Sequence, residues 1–286
     1  MDEINPRMGL KMNDIKIFDK QIISDKMDIA LEAIKHSRKV ILDYYGKPID
    51  ANWKEDGTPF TIADQKAEEA LREFLAKQTP DFGLIGEEFG VDRMSQDWNW
   101  IIDPIDGTKS FMKNVPLFGT LLALYHKDTP VLGIIDLPAL NSTLSAEQGK
   151  GAWVDGRQSF VSNIKNLKEA TTLSGTINTM EEFNLDAGFK KLRHESWLYR
   201  GWGDCYGYYQ VATGNAEIMI DPIVSVWDVA PLPVIMTEAG GEYSDLGGGN
   251  SILKEILDGK SELTSDSKTA IASNRELHQK ALSFLK

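Results

Sequence analysis

Between Phe82 and Leu137 the chain carries four short apolar runs: FGLIG (82–86), WNWIID (98–103), FGTLLALY (118–125) and VLGIIDL (131–137). Runs of this length and content read as strands, and HKDTP between the last two reads as a hairpin link. Helical periodicity precedes them. Ser24 to Tyr45 places Met27, Ala30, Leu31, Ile34, Ile41 and Tyr44 on one face and stops at Gly46 and Pro48. A second helix follows Thr61, a predicted N-cap with Asp64 three positions on; Ala67, Leu71 and Phe74 form its stripe, and it ends before Pro80. The second half repeats the alternation. GAWV (151–154) leads into an Asp-Gly turn, and residues 163–172 are polar and loose. WLYRG (197–201), a helical DCYGYYQVAT closed by Gly214, and a strand EIMID (217–221) come next. A helix around Trp227 to Ala239, GGEYSD, TAIAS and a C-terminal helix from Asn274 complete the chain. Strands and helices alternating in both halves predict a layered α/β architecture, with a soft division near residue 155.

The acids decide what such a scaffold could do. Among 286 residues, 43 are Asp or Glu and 31 are Lys or Arg, a formal net charge of −12. That surface repels nucleic acid and anionic lipid, so neither is an expected partner. An anionic substrate would need cations supplied locally, from basic side chains, helix N-termini or bound metal. The single cysteine, Cys205, excludes an intrachain disulfide framework and fits a reducing, cytoplasmic setting. It has no neighbouring histidine in sequence to activate it and reads as a small buried hydrophobe. His36, His126, His194 and His278 lack metal-ligand spacing. No apolar run reaches membrane-spanning length. Residues 1–23 lack the apolar core of a secretory signal and read as a polar leader, leaving 24–286 as one domain. GGGNS (247–251) lacks the Walker lysine and reads as a surface loop.

The chemistry concentrates in WIIDPIDGTKSF (100–111). An apolar strand delivers Asp103 to its end, Pro104 opposes continuation, and Asp106-Gly107 turns the chain. Two carboxylates with the Ile105 carbonyl between them suit a hard cation such as Mg²⁺. Gly107 permits close backbone approach, and the N–H groups of Gly107 and Thr108 could cradle a phosphate. The competing reading is two ordinary turns in succession. Glu87 in GEEFG also follows an apolar strand, where a solvated acidic loop would look the same. Asp228 in WDVAPLPVIMTEAGG and Asp64 in KEDGTPFTIAD both stand at helix starts, where capping alone would account for either. Pro231 and Pro233 predict a distorted start to the later helix. Were these five acids to converge, they would repel one another, and metal is the simplest compensation.

DPIDGTKSF and WDVAPLPVIMTEAGG together resemble the two signature motifs of the inositol monophosphatase family, with GEE and DGTPFTIAD in the expected order. The resemblance implies an alternating αβαβα sandwich of the inositol-monophosphatase and fructose-bisphosphatase type. It also implies a homodimer, two or three Mg²⁺ per site, and hydrolysis of a small phosphate monoester. It assigns Glu87, Asp103, the Ile105 carbonyl, Asp106 and Asp228 as metal ligands, and Asp64 with Thr108 as the pair that activates water, alongside Glu87. Lys54 matches a position that helps anchor a metal-bound water or phosphate. RGWGDCYGYYQVATG (200–214) is similar to the histidinol-phosphatase branch, which implies L-histidinol phosphate as substrate and a place in histidine biosynthesis. Trp202, Gly203, Asp204 and Asp221 are then substrate-side residues, with Asp204 facing an ammonium and Asp221 the other polar end. Helix capping by Asp204 and a core role for Trp202 are the competing assignments. Inositol 1-phosphate or a broader range of sugar-alcohol phosphates is the alternative substrate class, and a non-catalytic protein on the same fold is the alternative of another kind.

Overall fold

The computed structural model describes residues 20–54, 59–95, 97–249 and 269–285. Most of the predicted leader, part of the KEDGTP loop and the end of GGGNS lie outside these residues.

The core is two sheets held between three layers of helix. The first sheet has eight strands: β3 (Gly83–Gly86), β4 (Gly90–Arg93), β5 (Trp98–Asp106), β6 (Gly119–His126), β7 (Thr129–Leu137), β8 (Ser142–Glu147), β9 (Gly151–Val154) and β10 (Arg157–Ser159). Their spatial order is β10-β9-β8-β7-β6-β5-β3-β4, antiparallel except where β3 runs parallel to β5. The second sheet contains β11 (Thr171–Ser174), β12 (Leu198–Arg200), β13 (Ile218–Asp221), β14 (Gly241–Ser244) and β15 (Ala270–Asn274), in the order β12-β11-β13-β15-β14. A small hairpin of β1 (Ala51–Trp53) and β2 (Pro59–Thr61) stands apart from both.

Period-two alternation sorts the side chains of the first sheet. Trp100, Ile102, Leu122, Leu124, Leu132 and Ile134 face the outer helices α1 (Lys20–Tyr44) and α2 (Ile62–Gln78), meeting Ala30, Ala33, Ile34, Leu71 and Leu75. Ile101, Leu121, Ala123, Tyr125 and Ile135 face the other way. There they meet the middle helices α6 (Asp204–Ala212), α7 (Val226–Val229) and α8 (Leu232–Glu238). Met219, Ala270 and Ala272 of the second sheet close that layer from beyond, while Ile218, Ile220 and Ile271 point outward. They are covered by α4 (Ile177–Glu182), α5 (Asp186–Glu195) and α9 (Arg275–Phe284). The alternating αβαβα sandwich is the fold implied by the motifs.

Some elements differ from expectation. α1 begins at Lys20, ahead of Ser24. The helix around Trp227 to Ala239 is broken into α7 and α8 at Pro231, as its prolines require. α4 and α5 were not anticipated. Their apolar positions, chiefly Met180, Phe189 and Leu192, are too sparse to stand out among charged neighbours.

One buried ion pair fastens α1 to the first sheet. Arg38 donates through Nε to Asp136 Oδ2 at 3.1 Å and through Nη2 to Asp136 Oδ1, with Thr143 Oγ1 donating to Asp136 Oδ1 at 2.8 Å. The Asp136 side chain is fully buried and that of Arg38 is 22% exposed. Arg38→Ala strands the carboxylate and should cost about 2–3 kcal/mol, toward the low end for a buried pair because the guanidinium is partly hydrated. Urea unfolding checks this; a loss below about 0.5 kcal/mol would place the pair among ordinary surface bridges.

Candidate active site

β5 supplies the first two acids. Asp103 pairs in register with Leu121, and the ladder resumes with Asp106 opposite Gly119. Pro104 between them has no N–H to give, and its carbonyl accepts from the Thr120 hydroxyl at 2.8 Å. The strand therefore bulges instead of stopping, so the expectation that it ends at Asp103 is corrected. Ile105 is buried against Phe111 and Phe118. Gly107, at φ 84°, then turns the chain into α3 (Thr108–Met112). A Cβ on Gly107 would stand 3.1 Å from the Leu117 carbonyl and 3.2 Å from Asp204 Oδ2, so only glycine fits the turn comfortably.

The helix-start acids do two things at once. Asp64 closes a capping box on α2, accepting from the Thr61 N–H at 2.7 Å and the Thr61 hydroxyl at 2.6 Å through Oδ2. Its other oxygen accepts from Thr108 Oγ1 at 3.2 Å, and the Ile105 carbonyl lies 3.1 Å from the same hydroxyl. Asp228 closes a capping box with Ser225, whose N–H donates to Oδ2 at 2.7 Å. One oxygen each of Asp103, Asp106 and Asp228 lies within 4.8 Å of the other two. Asp103 Oδ1 is buried and has no hydrogen-bond partner among the described residues. An orphaned carboxylate oxygen in a knot of three acids is a ligand set for a hard cation, and no histidine or cysteine competes in it.

Glu87 follows β3, and its N–H donates to the Ile102 carbonyl at 3.2 Å, which fixes it beside β5. It lies next to the triad, where its charge helps raise the pKa of Asp103 and of Asp228. Lys54 Nζ bridges Glu87 Oε1 and Glu88 Oε1, at 2.7 Å each. Across the site, Asp204 opens α6 at φ 54°, and no helix amide is hydrogen-bonded by its carboxylate among the described residues. Its charge adds to the burial that raises Asp106. Asp221 ends β13 and accepts from the Gly175 N–H at 3.3 Å. Trp202 is half-buried, packed against the middle layer and edge-on to Tyr206, and Gly203 is the residue on which α6 starts. The Cys205 thiol is fully buried and its backbone N–H donates to Asp106 Oδ2, a supporting contact of the main chain.

Burial is the leading cause of the upward shift of each of these carboxylates. It pushes Asp103 and Asp106 well above the ordinary carboxylate range, with neighbouring acids adding to it. Asp64 rises to about 6 despite the Thr61 hydrogen bonds that oppose the shift. Asp228 rises to about 7 and Asp221 to about 8, the latter with Asp204 as its next cause. Glu88, Lys109 and Tyr208 were not singled out from the sequence. Glu88 shares Lys54, Lys109 offsets part of the burial effect on Asp204, and Tyr208 lies beside Asp221. Glu88 and Lys109 adjoin residues that were named, whereas Tyr208 reads as core.

A layered α/β fold in which β5 of the first sheet and the middle helix α7 bring three acids together is the kind of scaffold that can hold a hard cation for hydrolysis. A model of the inositol monophosphatase family matches residues 24–285, and the chain belongs to that family, whose members are metal-dependent phosphoric monoester hydrolases. It is 41% identical over 232 residues to a histidinol-phosphatase of Chlorobaculum parvum, covering 79% of this chain and 88% of that one. A histidinol-phosphatase of Mycobacterium tuberculosis is 37% identical, over 68% of this chain and 77% of its own. The extragenic suppressor protein suhB from Bartonella henselae superposes with a TM-score of 0.81 at 25% identity, over 92% of this chain and 98% of that one.

The raised carboxylates carry a stability consequence. Burial lifts Asp64, Asp228 and Asp221 to about 6, 7 and 8 in the fold, from an ordinary aspartate value of 3.8. A folded state that binds protons more tightly than the unfolded chain loses stability as pH climbs from about 4 to about 8. In EDTA the melting temperature should fall by at least about 5 °C between pH 5.5 and pH 8, and Mg²⁺ should flatten that decline. Equal slopes with and without Mg²⁺ would show that the acids are not relieved by a cation.

Proposed function

We propose that the chain is an Mg²⁺-dependent phosphatase of L-histidinol phosphate, releasing L-histidinol and phosphate. The observation that carries the substrate is Asp204: a half-buried carboxylate in a left-handed backbone conformation, not used to cap its helix, on the same side as Asp221. Two acids beyond the metal-facing set could accept from a polyol's hydroxyls, but a cationic group gains a charge-assisted bond that a hydroxyl does not. They suit a substrate with a cationic end, and histidinol phosphate carries an ammonium and an imidazole. The names borne by the relatives from Chlorobaculum parvum and Mycobacterium tuberculosis support the same substrate.

The residues that would hold two or three Mg²⁺ are Glu87, Asp103, Asp106, Asp228 and the Ile105 carbonyl. When bound, Mg²⁺ would neutralise phosphoryl oxygens and acidify a water. Asp64 is the proton acceptor, because a carboxyl near pKa 6 is largely ionised at neutral pH and still basic enough to take a proton. The Thr108 hydroxyl, held by Asp64 and Ile105, orients that water, with Glu87 facing the same space. The Gly107 and Thr108 amides cradle the phosphate, and Lys54 steadies Glu87 while offering a cation to the anion. A homodimer in the cytoplasm, serving histidine biosynthesis, follows from the family resemblance and the single cysteine. Consistent with that setting, no helix among the described residues is long and apolar enough to cross a membrane.

Asp103→Asn keeps the side-chain volume and removes a ligand charge. Turnover should drop by about a hundredfold, while the metal-free protein melts no lower than wild type because a repulsive buried charge has gone. Near-normal kinetics would place the metal elsewhere. Asp204→Asn separates the substrates. It should reduce kcat/KM for histidinol phosphate by about ten- to a hundredfold and leave inositol 1-phosphate nearly unchanged, since the phosphate contacts are common to both. Equal losses on the two phosphates would defeat the ammonium assignment and favour the inositol reading.

A further inference from the structure

Behind the metal-facing acids lies a second carboxylate that no motif assigns. Glu68, in the second turn of α2, is fully buried and faces the turn that follows β3. Its Oε2 accepts from the Glu88 N–H at 2.8 Å and its Oε1 from the Phe89 N–H at 3.3 Å. Arg72, one turn further along α2, donates through Nε to Oε1 at 2.7 Å and through Nη2 to the Gly90 carbonyl at 2.6 Å. The guanidinium also lies over the Phe89 ring, 5.8 Å from its centre. The backbone of residues 88–90 is thus held at three successive points by one helix. Gly86 completes the fit, because a Cβ there would stand 2.1 Å from Glu68 Oε1.

We propose that Glu68, locked by Arg72, is a positioning residue that holds the Glu87–Glu88 turn in the conformation in which Glu87 faces the metal. The inference rests on the reading of Glu87 as a metal ligand. Glu87 itself is fixed on its other side by its N–H on Ile102, so the turn is clamped between β5 and α2. Two amides converging on one carboxylate need both of its oxygens as acceptors. Glutamine offers one acceptor and one donor, so Glu68→Gln must turn an NH₂ toward an amide N–H and release one of the two bonds. Because Glu87 stands beside Asp103, Asp64 and Asp228 and is repelled by them, a loosened turn would swing it outward, away from the cation.

The test is calorimetric titration of Mg²⁺ into EDTA-stripped, desalted protein, with a melting curve for each metal-free variant and kcat at saturating Mg²⁺. Glu68→Gln should weaken Mg²⁺ binding by about tenfold, within the range for residues that orient a ligand, and leave kcat at saturating Mg²⁺ within about threefold. Arg72→Gln keeps Glu68 but unlocks it, and should weaken Mg²⁺ binding in the same direction by about threefold. Glu87→Gln is the reference. Weakened binding in Glu87→Gln with unchanged binding in Glu68→Gln, whatever its melting temperature, overturns the brace and leaves the ligand assignment standing. Unchanged binding in Glu87→Gln overturns both. Should Glu68→Gln fail to fold, Arg72→Gln decides, and wild-type Mg²⁺ affinity in that variant overturns the proposal.

Discussion

Mutual repulsion among buried carboxylates is the constraint to which the rest of this molecule answers. Asp103, Asp106 and Asp228 bring oxygens within 4.8 Å of one another, with Asp103 buried and the other two only partly exposed, where water screens them poorly. Left alone, such charges would protonate or push the surrounding elements apart. The fold resists by tying each acid to main chain that is already committed elsewhere. Asp103 and Asp106 are strand residues in a nine-residue strand, Asp106 is also held by the Cys205 amide, and Asp228 is locked into its own helix start. Packing of the two sheets against the middle helices thus works against local electrostatics, and a bound cation reverses the sign of the latter.

Capping and catalysis are not rival explanations for Asp64 and Asp228. A capping box spends one carboxylate oxygen on the N-cap amide and leaves the other free to face away from the helix. In Asp64 the spare oxygen meets Thr108, and Asp228 both caps its helix and contributes an oxygen to the triad. Rigid capping is what makes these acids precise, since the side chain has no rotamer freedom left to lose when a ligand arrives. The bulge at Pro104 serves the same end on β5. It keeps Asp103 and Asp106 on one strand while turning the Ile105 side chain into apolar packing with Phe111 and Phe118.

Much of this was legible in the sequence because the chemistry is local in the chain. Asp103, Ile105, Asp106, Gly107 and Thr108 lie in one stretch, and the strand and capping signals around Asp64, Glu87 and Asp228 are strong. A layered α/β fold was readable from the alternation of strands and helices, whereas the αβαβα order came only with the resemblance of the motifs. The rest depended on side chains meeting across distance. Glu68 looks like one charged residue among several on α2, and only folding reveals that it is fully buried with amides pointing at it. Arg38 reads as surface on its helix, yet it pairs with Asp136, 98 residues further along the chain. α5 was missed because DAGFKKLRHE has few apolar residues, and its packing is supplied by α9 from the far end of the chain.

The acidic surface finally makes sense as an orientation device for a substrate with two unlike ends. Before metal is present, burial and mutual repulsion hold Asp103, Asp106, Asp221 and Asp228 above the ordinary carboxylate range, so protons take part of the charge that a cation would otherwise balance. A divalent cation held by the triad would make the two sides of the site differ in sign across Gly107, whose missing side chain lets Asp204 approach to within 3.2 Å of where a Cβ would be. On the proposed reading, an ammonium-bearing phosphate would then have one favourable pose, with its anion toward the metal and its cation toward Asp204. A neutral polyol phosphate would keep the first half of that alignment and offer Asp204 only hydroxyl hydrogen bonds, without the charge of an ammonium. Discrimination on this reading needs no steric gate. It follows from charges of opposite sign fixed on opposite sides of a narrow turn, which is a stronger constraint inside a protein than in water because little solvent remains to screen it.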